Sequence, residues 1–320
     1  MRRTERKQRP RPWRQDGVAL LSVMFILVLL TTMAVYMVEG DHMMLSRASN
    51  QRTLEQGIQL AVGSERWAMR VLQRDLVDGD TDHLGEDWNR LGTPVEVDDG
   101  NLRTTAMDLQ GRFNLNNLNR RGDDVWYAAF KRLLRLLEID EGVAEAVVDW
   151  IDSDEQRTHS DGAEDLEYLL FDPPYRAANR PMADLGEMLL VSGVDEEILS
   201  RLAPFVTVIP DARGTRINVN TCPTLLFQIF GDEMTAADAE ALAAMRAEQG
   251  FESVEAFLAS NPLAGEPQQV AEPLVTLSSD YFLVTSEVKI GDMNLATDST
   301  IKRDSARRTV SVVSRAWGFL

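Results

Sequence analysis

Cysteine is almost missing from this sequence. Cys222 stands alone among 320 residues, which excludes an intrachain disulfide framework and any cysteine-built zinc site. Beside Pro223 and after an apparent strand Arg216–Asn220, it reads as a small buried hydrophobe. Histidine is scarce too: His42, His83 and His159 are all there are, little material for an imidazole-ligated metal centre. Excess positive charge is absent. A net charge of −18 repels phosphate, so nucleic acid is excluded as a general partner. No glycine-rich phosphate loop occurs, and no Ser, His and Asp arrangement carries a nucleophile motif, so the chain reads as a non-enzyme. Composition excludes wholesale disorder, because 44% hydrophobic and 26% charged residues are enough for real cores. The length suits about two folded domains.

What is present is unevenly distributed. Residues 1–17 carry seven basic side chains (Arg2, Arg3, Arg6, Lys7, Arg9, Arg11 and Arg14) against Glu5 and Asp16, a net +5 that leaves −23 on everything after them. Directly behind this arm, Val18–Val38 runs for 21 residues without a charge. At ~1.5 Å per residue that is about 32 Å of helix, enough to cross a ~30 Å hydrocarbon core. Basic flanks stay cytoplasmic, so the acidic bulk of the chain belongs on the far side, the periplasm of a bacterial cell. The run ends at Glu39-Gly40-Asp41 with no small-residue cleavage pattern, unlike an ordinary secretory signal. A permanent signal anchor remains open at this level.

Arg14-Gln15-Asp16-Gly17-Val18, a basic leader ending in glycine immediately before the apolar run, resembles the type IV prepilin family. The resemblance implies cleavage after Gly17 by a prepilin peptidase and N-methylation of the new terminus, Val18, where the family usually has Phe. Pilin-like subunits also carry Glu as the fifth mature residue, a costly intramembrane carboxylate that neutralises a neighbour's amino terminus. Here that position is Ser22. A subunit without the carboxylate fits best at an end of a filament.

From Glu39 to about Asp78, apolar residues such as Leu54, Ile58, Val62, Trp67, Val71 and Leu72 keep a helical spacing. This predicts one long helix, hydrophobic first and amphipathic later, with bends at Gly40, Gly57 and Gly63. Asp78–Asp99 reads as a solvated acidic loop holding Asp80, Asp82, Glu86 and Asp87. Val95–Val97 and Leu102–Leu109 suggest a hairpin centred on Asp99-Gly100. Asp124–Leu137 has helical spacing, and strand patterns return only at Tyr281–Lys289, Asn294–Ile301 and Thr309–Ala316. Trp67, Trp88, Trp126 and Trp150 read as core or edge-packing residues. A mostly helical stretch thus interrupts a small sheet.

Five segments in fixed order carry a more specific resemblance. They are Asp108-Leu-Gln-Gly-Arg-Phe-Asn-Leu-Asn-Asn-Leu118, Asp149-Trp-Ile-Asp152-Ser-Asp154, Asp161-Gly-Ala-Glu-Asp165, Pro173-Pro-Tyr-Arg-Ala-Ala-Asn179 and Ile217-Asn-Val-Asn-Thr221. Together they resemble the type II secretion system protein K family, a large minor pseudopilin, over nearly the whole chain. Lack of the pilin Glu at Ser22 is itself a trait of that family. The resemblance implies an α+β fold: a pilin-like long N-terminal helix plus a small antiparallel sheet, with a large mainly helical insertion of SAM-like or helix-hairpin-helix-like units. The implied division is 1–17 leader, 18–38 membrane part, 39–114 rest of the helix and start of the sheet domain, 115–273 helical insertion, and 274–320 closing strands. It also implies a cap or initiator at the tip of a periplasmic pseudopilus supporting protein export. The partners would be minor pseudopilins I, J and H, with the prepilin peptidase and the inner membrane. The runner-up is a signal-anchored periplasmic binding protein outside any filament. Met182–Val206 and Ala236–Leu258 look like helix-hairpin-helix units. Each sets five acids against one arginine, so packing rather than DNA binding is expected.

Asp149–Asp165 holds seven carboxylates against Arg157 alone. Crowded hard oxygens with Gly162 for a sharp turn suit Ca²⁺, although the spacing is not that of an EF-hand. A solvated acidic loop is the alternative from composition. The protein K resemblance favours structural calcium, with Asp152, Asp154, Asp161, Glu164 and Asp165 as its ligands.

Overall fold

The computed structural model describes residues 16–97, 100–119, 124–209, 214–263 and 272–319. The basic arm through residue 15 and Asp99 of the expected turn lie outside the described residues. The chain divides into two compact units, Met1–Gly57 and Ile58–Leu320.

In the first unit the described chain is helix. It belongs to α1, Asp16–Asp78, which continues through Gly40, Gly57 and Gly63. Its apolar side chains from Leu20 to Val38 are all exposed, as an unpartnered membrane-type helix requires. In the second unit the end of α1 is amphipathic. Ala61, Ala68 and Leu72 are buried against the sheet, while Trp67 stays half exposed.

The sheet is antiparallel throughout, in the order β1-β2-β7-β8-β9. Its first strands are β1 (Val95–Val97) and β2 (Gly100–Asp108). The others are β7 (Tyr281–Ile290), β8 (Met293–Asp304) and β9 (Thr309–Phe319). Strands β2 and β7 pair along their whole lengths, from Gly100 opposite Ile290 to Asp108 opposite Phe282. Gly100 has to be glycine there, since a Cβ would sit 1.8 Å from the Lys289 carbonyl oxygen. Period-2 alternation aims Ala106, Phe282, Val284 and Ile301 at one cluster with Trp88, whose ring meets Phe282 edge-on at 5.2 Å.

Most of the described apolar side chains between β2 and β7 form a second, larger core. It begins with β3 (Phe113–Asn114), α2 (Asp124–Leu136), α3 (Gly142–Ile151) and α4 (Asp165–Tyr168). It continues with α5 (Glu196–Leu202), β4 (Val206–Thr207), β5 (Ile217–Asn218), α6 (Ala236–Gln249), α7 (Val254–Leu258) and β6 (Val275–Thr276). On α2 the buried set Trp126, Ala129, Phe130, Leu133 and Leu134 follows the three-and-four spacing of the sequence. Two short parallel pairs, β3 with β4 and β5 with β6, close the segment on itself. The architecture is α+β: a long N-terminal helix, an antiparallel sheet and an inserted helical head.

Some expectations change. The unit at Ala236–Leu258 is two helices joined at Gly250. In Met182–Val206 the first member is only a 3-10 segment, Leu185–Leu190, because Gly186 and Pro181 shorten any α-helix there. The expected strand Arg216–Asn220 contracts to β5, since Asn218 and Asn220 spend their side chains on loop contacts instead.

Candidate functional site

The family-like motifs tie the head to the sheet. Asp108, at the end of β2 and buried, accepts hydrogen bonds from Ser279 Oγ (2.6 Å), Thr221 Oγ1 (2.6 Å) and Asn218 Nδ2 (3.1 Å). Asn116 reaches both the Met182 and Ile209 carbonyls at 3.0 Å, and Asn117 Nδ2 donates to the Thr215 carbonyl at 2.7 Å. Asparagine recurs in these blocks because it satisfies buried donors and acceptors of loop backbone at once.

The loop expected to be a solvated acidic run is partly buried instead. Asp82 is 2% exposed, accepts the Ser279 N–H at 2.6 Å and is paired with Arg303, which also holds Asp75 at 2.6 Å. Burial pushes the Asp82 carboxyl up to about 7, against the opposing pull of the Arg303 guanidinium. Sequence could not show this, because Arg303 lies on β8, far along the chain. Asp80 and Asp87 remain exposed.

The second acidic run makes a pocket. Helix α3 ends at Ile151, and Asp149 and Asp152, three residues apart, leave its last turn on one side. Carboxylate oxygens of Asp152, Asp154 and Glu164 all lie within 4.8 Å of one another. Oxygens about 2.4 Å from one ion fall at such separations. Glu164 is 3% exposed, and neither of its carboxylate oxygens has a hydrogen-bond partner. Asp149 is fully buried: its Oδ1 accepts the Thr158 N–H at 2.9 Å and its Oδ2 has no partner. Burial, then the charges of Asp149, Asp152 and Asp165, push the Glu164 carboxyl up to about 7. Gly162 makes the space, since a Cβ there would sit 1.9 Å from Asp149 Oδ2. Two buried carboxylates with orphaned oxygens beside two more acids form a hard-oxygen donor set that fits a divalent cation such as Ca²⁺.

Two residues of the expected set fall outside this trio. Asp165 is spent on structure, with Oδ2 against Arg176 at 3.0 Å and Oδ1 accepting the Ala177 N–H at 3.1 Å. Asp161 is exposed, and its backbone N–H donates to Glu145 Oε2 at 2.8 Å. Asp149 is the residue the sequence reading passed over. Its three-residue spacing from Asp152 on a helix was the available signal.

At the amino-terminal junction, Gly17 and Val18 lie inside α1 and Ser22 is exposed on it. Among the described residues one helix is long and apolar enough to cross a membrane, Ala19–Val77, with a mean hydropathy of 2.4 in its most apolar window. Cys222 is buried, and burial pushes its thiol up to about 12.

An apolar amino-terminal helix continuing onto an antiparallel sheet, with a helical head inserted between two neighbouring strands, defines a pilin-like subunit of enlarged type. The family description "Type II secretion system (T2SS), protein K" matches residues 111–211 and again 217–278. Type II secretion system protein K of Klebsiella pneumoniae is 34% identical over 320 residues, spanning 95% of this chain and 97% of that one. The Pseudomonas aeruginosa protein of the same name is 34% identical over 319 residues, 95% and 93% of the two chains. A chain in the crystal structure of the GspK-GspI-GspJ complex from the enterotoxigenic Escherichia coli type 2 secretion system superposes with a TM-score of 0.75. It has 26% identity and covers 85% of this chain and 99% of that one. The chain belongs to the type II secretion system protein K family, whose members are minor pseudopilins.

Proposed function

We propose that the chain is cut after Gly17 by a prepilin peptidase, held in the bacterial inner membrane by residues 18–38, and delivered to the tip of a periplasmic pseudopilus. There it starts or limits assembly and so supports protein export across the outer membrane. One observation carries this reading: a slender apolar helix able to join a helical spine leads to a sheet whose strands β2 and β7 are separated in sequence by a whole helical head. A head of that bulk beside the sheet would obstruct the seating of a further subunit. Likeness to the chain in the GspK-GspI-GspJ complex supports pseudopilins I and J as neighbours; the family resemblance adds H as an adjoining one. The positive charge of the basic arm supports a cytoplasmic amino terminus. The role is structural rather than enzymatic. Absence of a carboxylate at Ser22 fits a subunit with no earlier amino terminus to neutralise.

The acidic pocket is read as a structural calcium site. Asp152, Asp154 and Glu164 would hold the ion, with Asp149 beside them, and the ion would fix the loop after α3 rather than perform chemistry.

Intact-mass analysis and amino-terminal sequencing of protein from cells with a prepilin peptidase test the central claim. A terminus at Val18, with or without one methyl group, is expected. A terminus still within the basic arm would make the chain a permanent signal anchor and remove it from the pilin pathway.

A further inference from the structure

The head carries an apolar surface that its own packing does not use. Leu166 and Leu170 are 77% and 85% exposed, and Leu169, Phe171, Leu189 and Leu190 are all more than 40% exposed. Phe171 and Leu190 are joined through Tyr175, and Leu166, Leu169 and Leu170 stand in the same short stretch of chain as Phe171. The Phe171 ring lies 5.7 Å from that of Tyr175, and Tyr175 Oη donates to the Leu190 carbonyl at 2.8 Å. Isolated exposed leucines need no explanation, but several large exposed apolar side chains on two segments joined through Tyr175 point to a contact site.

Charge decides what the contact is. Residues 149–197, which contain the whole surface, hold fourteen carboxylates and three arginines. Each arginine is already paired with an acid of the same region: Arg157 with Glu167, Arg176 with Asp165 and Arg180 with Glu187. One divalent ion in the acidic pocket would still leave a large negative excess. A second copy of this chain would bring the same negative field, and anionic lipid would be repelled likewise. We propose that this apolar island in an acidic surround docks a protein segment presenting apolar anchors flanked by Lys and Arg. The anchors would cover the leucines, and the flanking cations would meet the excess of carboxylates around them, which also speeds encounter.

The test uses the full chain in phosphatidylcholine nanodiscs with calcium held constant, and a labelled helical peptide built only of Leu and Lys, with empty discs as the blank. The peptide is expected to bind, and Leu166→Glu and Leu170→Glu to weaken binding roughly tenfold each. Leu170→Ser, which removes an anchor without adding charge, must weaken it too, whereas Val313→Glu on β9 leaves it unchanged. Unaltered affinity in the Leu170 variants would overturn the proposal. Equal binding of a peptide with Ser for Leu, or with Glu for Lys, would overturn it as well. So would self-association of the wild type that Leu170→Glu abolishes, since the surface would then seat a second copy.

Discussion

Glu164 and Asp149 show how a single side chain becomes informative only through what surrounds it. Each is buried with carboxylate oxygen left unpaired, a state costing several kcal/mol per isolated ion unless a counter-charge arrives. Asp152→Ala with Asp154→Ala is therefore expected to shrink the calcium-induced rise in Tm of the full chain, seen by differential scanning fluorimetry with and without a chelator. An unchanged calcium shift would remove the site. Gly162→Ala is expected to do the same with every carboxylate retained, because its methyl displaces Asp149 Oδ2. Glu65 makes a pH prediction. Burial alone would raise its carboxyl, but hydrogen bonds from Arg315 (2.7 and 2.8 Å) and Ser299 and the Arg315 charge hold it below the usual 4.5. A depressed folded value adds stability above the unfolded value, and that stability is lost as pH falls through the folded one. Between about pH 6 and 3, Tm of Glu65→Gln should fall less steeply than that of the wild type, in melts at stepped pH.

Helices and strands here carry their own start and stop signals. Helix α6 opens with a reciprocal cap: Thr235 Oγ1 accepts the Asp238 N–H at 3.2 Å, while Asp238 Oδ2 accepts the Thr235 N–H at 3.0 Å. Thr235→Ala is expected to cost about 1 kcal/mol, read as a lower urea midpoint with an unchanged slope. Period-3.6 spacing was legible for α2, and period-2 spacing for β7, β8 and β9, because each presents one apolar face to a core. The 3-10 segment at Leu185–Leu190 and the two-residue strands β3, β4 and β6 were not legible, and β5 was legible only as a longer strand. Such elements are set by distant loop contacts, such as those of Asn116 and Asn218, and no local period records them.

For the whole molecule the decisive property is the junction between a basic arm and an apolar helix. Gly17→Val should leave unprocessed protein in the membrane and abolish secretion, seen as a heavier band on immunoblots and loss of exported protein from the medium. Normal secretion with an uncut leader would refute the pilin pathway.

Length, charge order, the uncharged run Val18–Val38, the glycine before it and the absence of Glu at Ser22 are local or additive properties, and sequence alone determined them. The same holds for the amphipathic helix and strand periods. Tertiary structure alone decided which acids face one another. Asp82 left the solvent for Arg303, Asp165 was taken by Arg176, and Asp149 joined Asp152, Asp154 and Glu164. Partner choice among charges depends on distances between residues far apart in the chain, and composition records only their number.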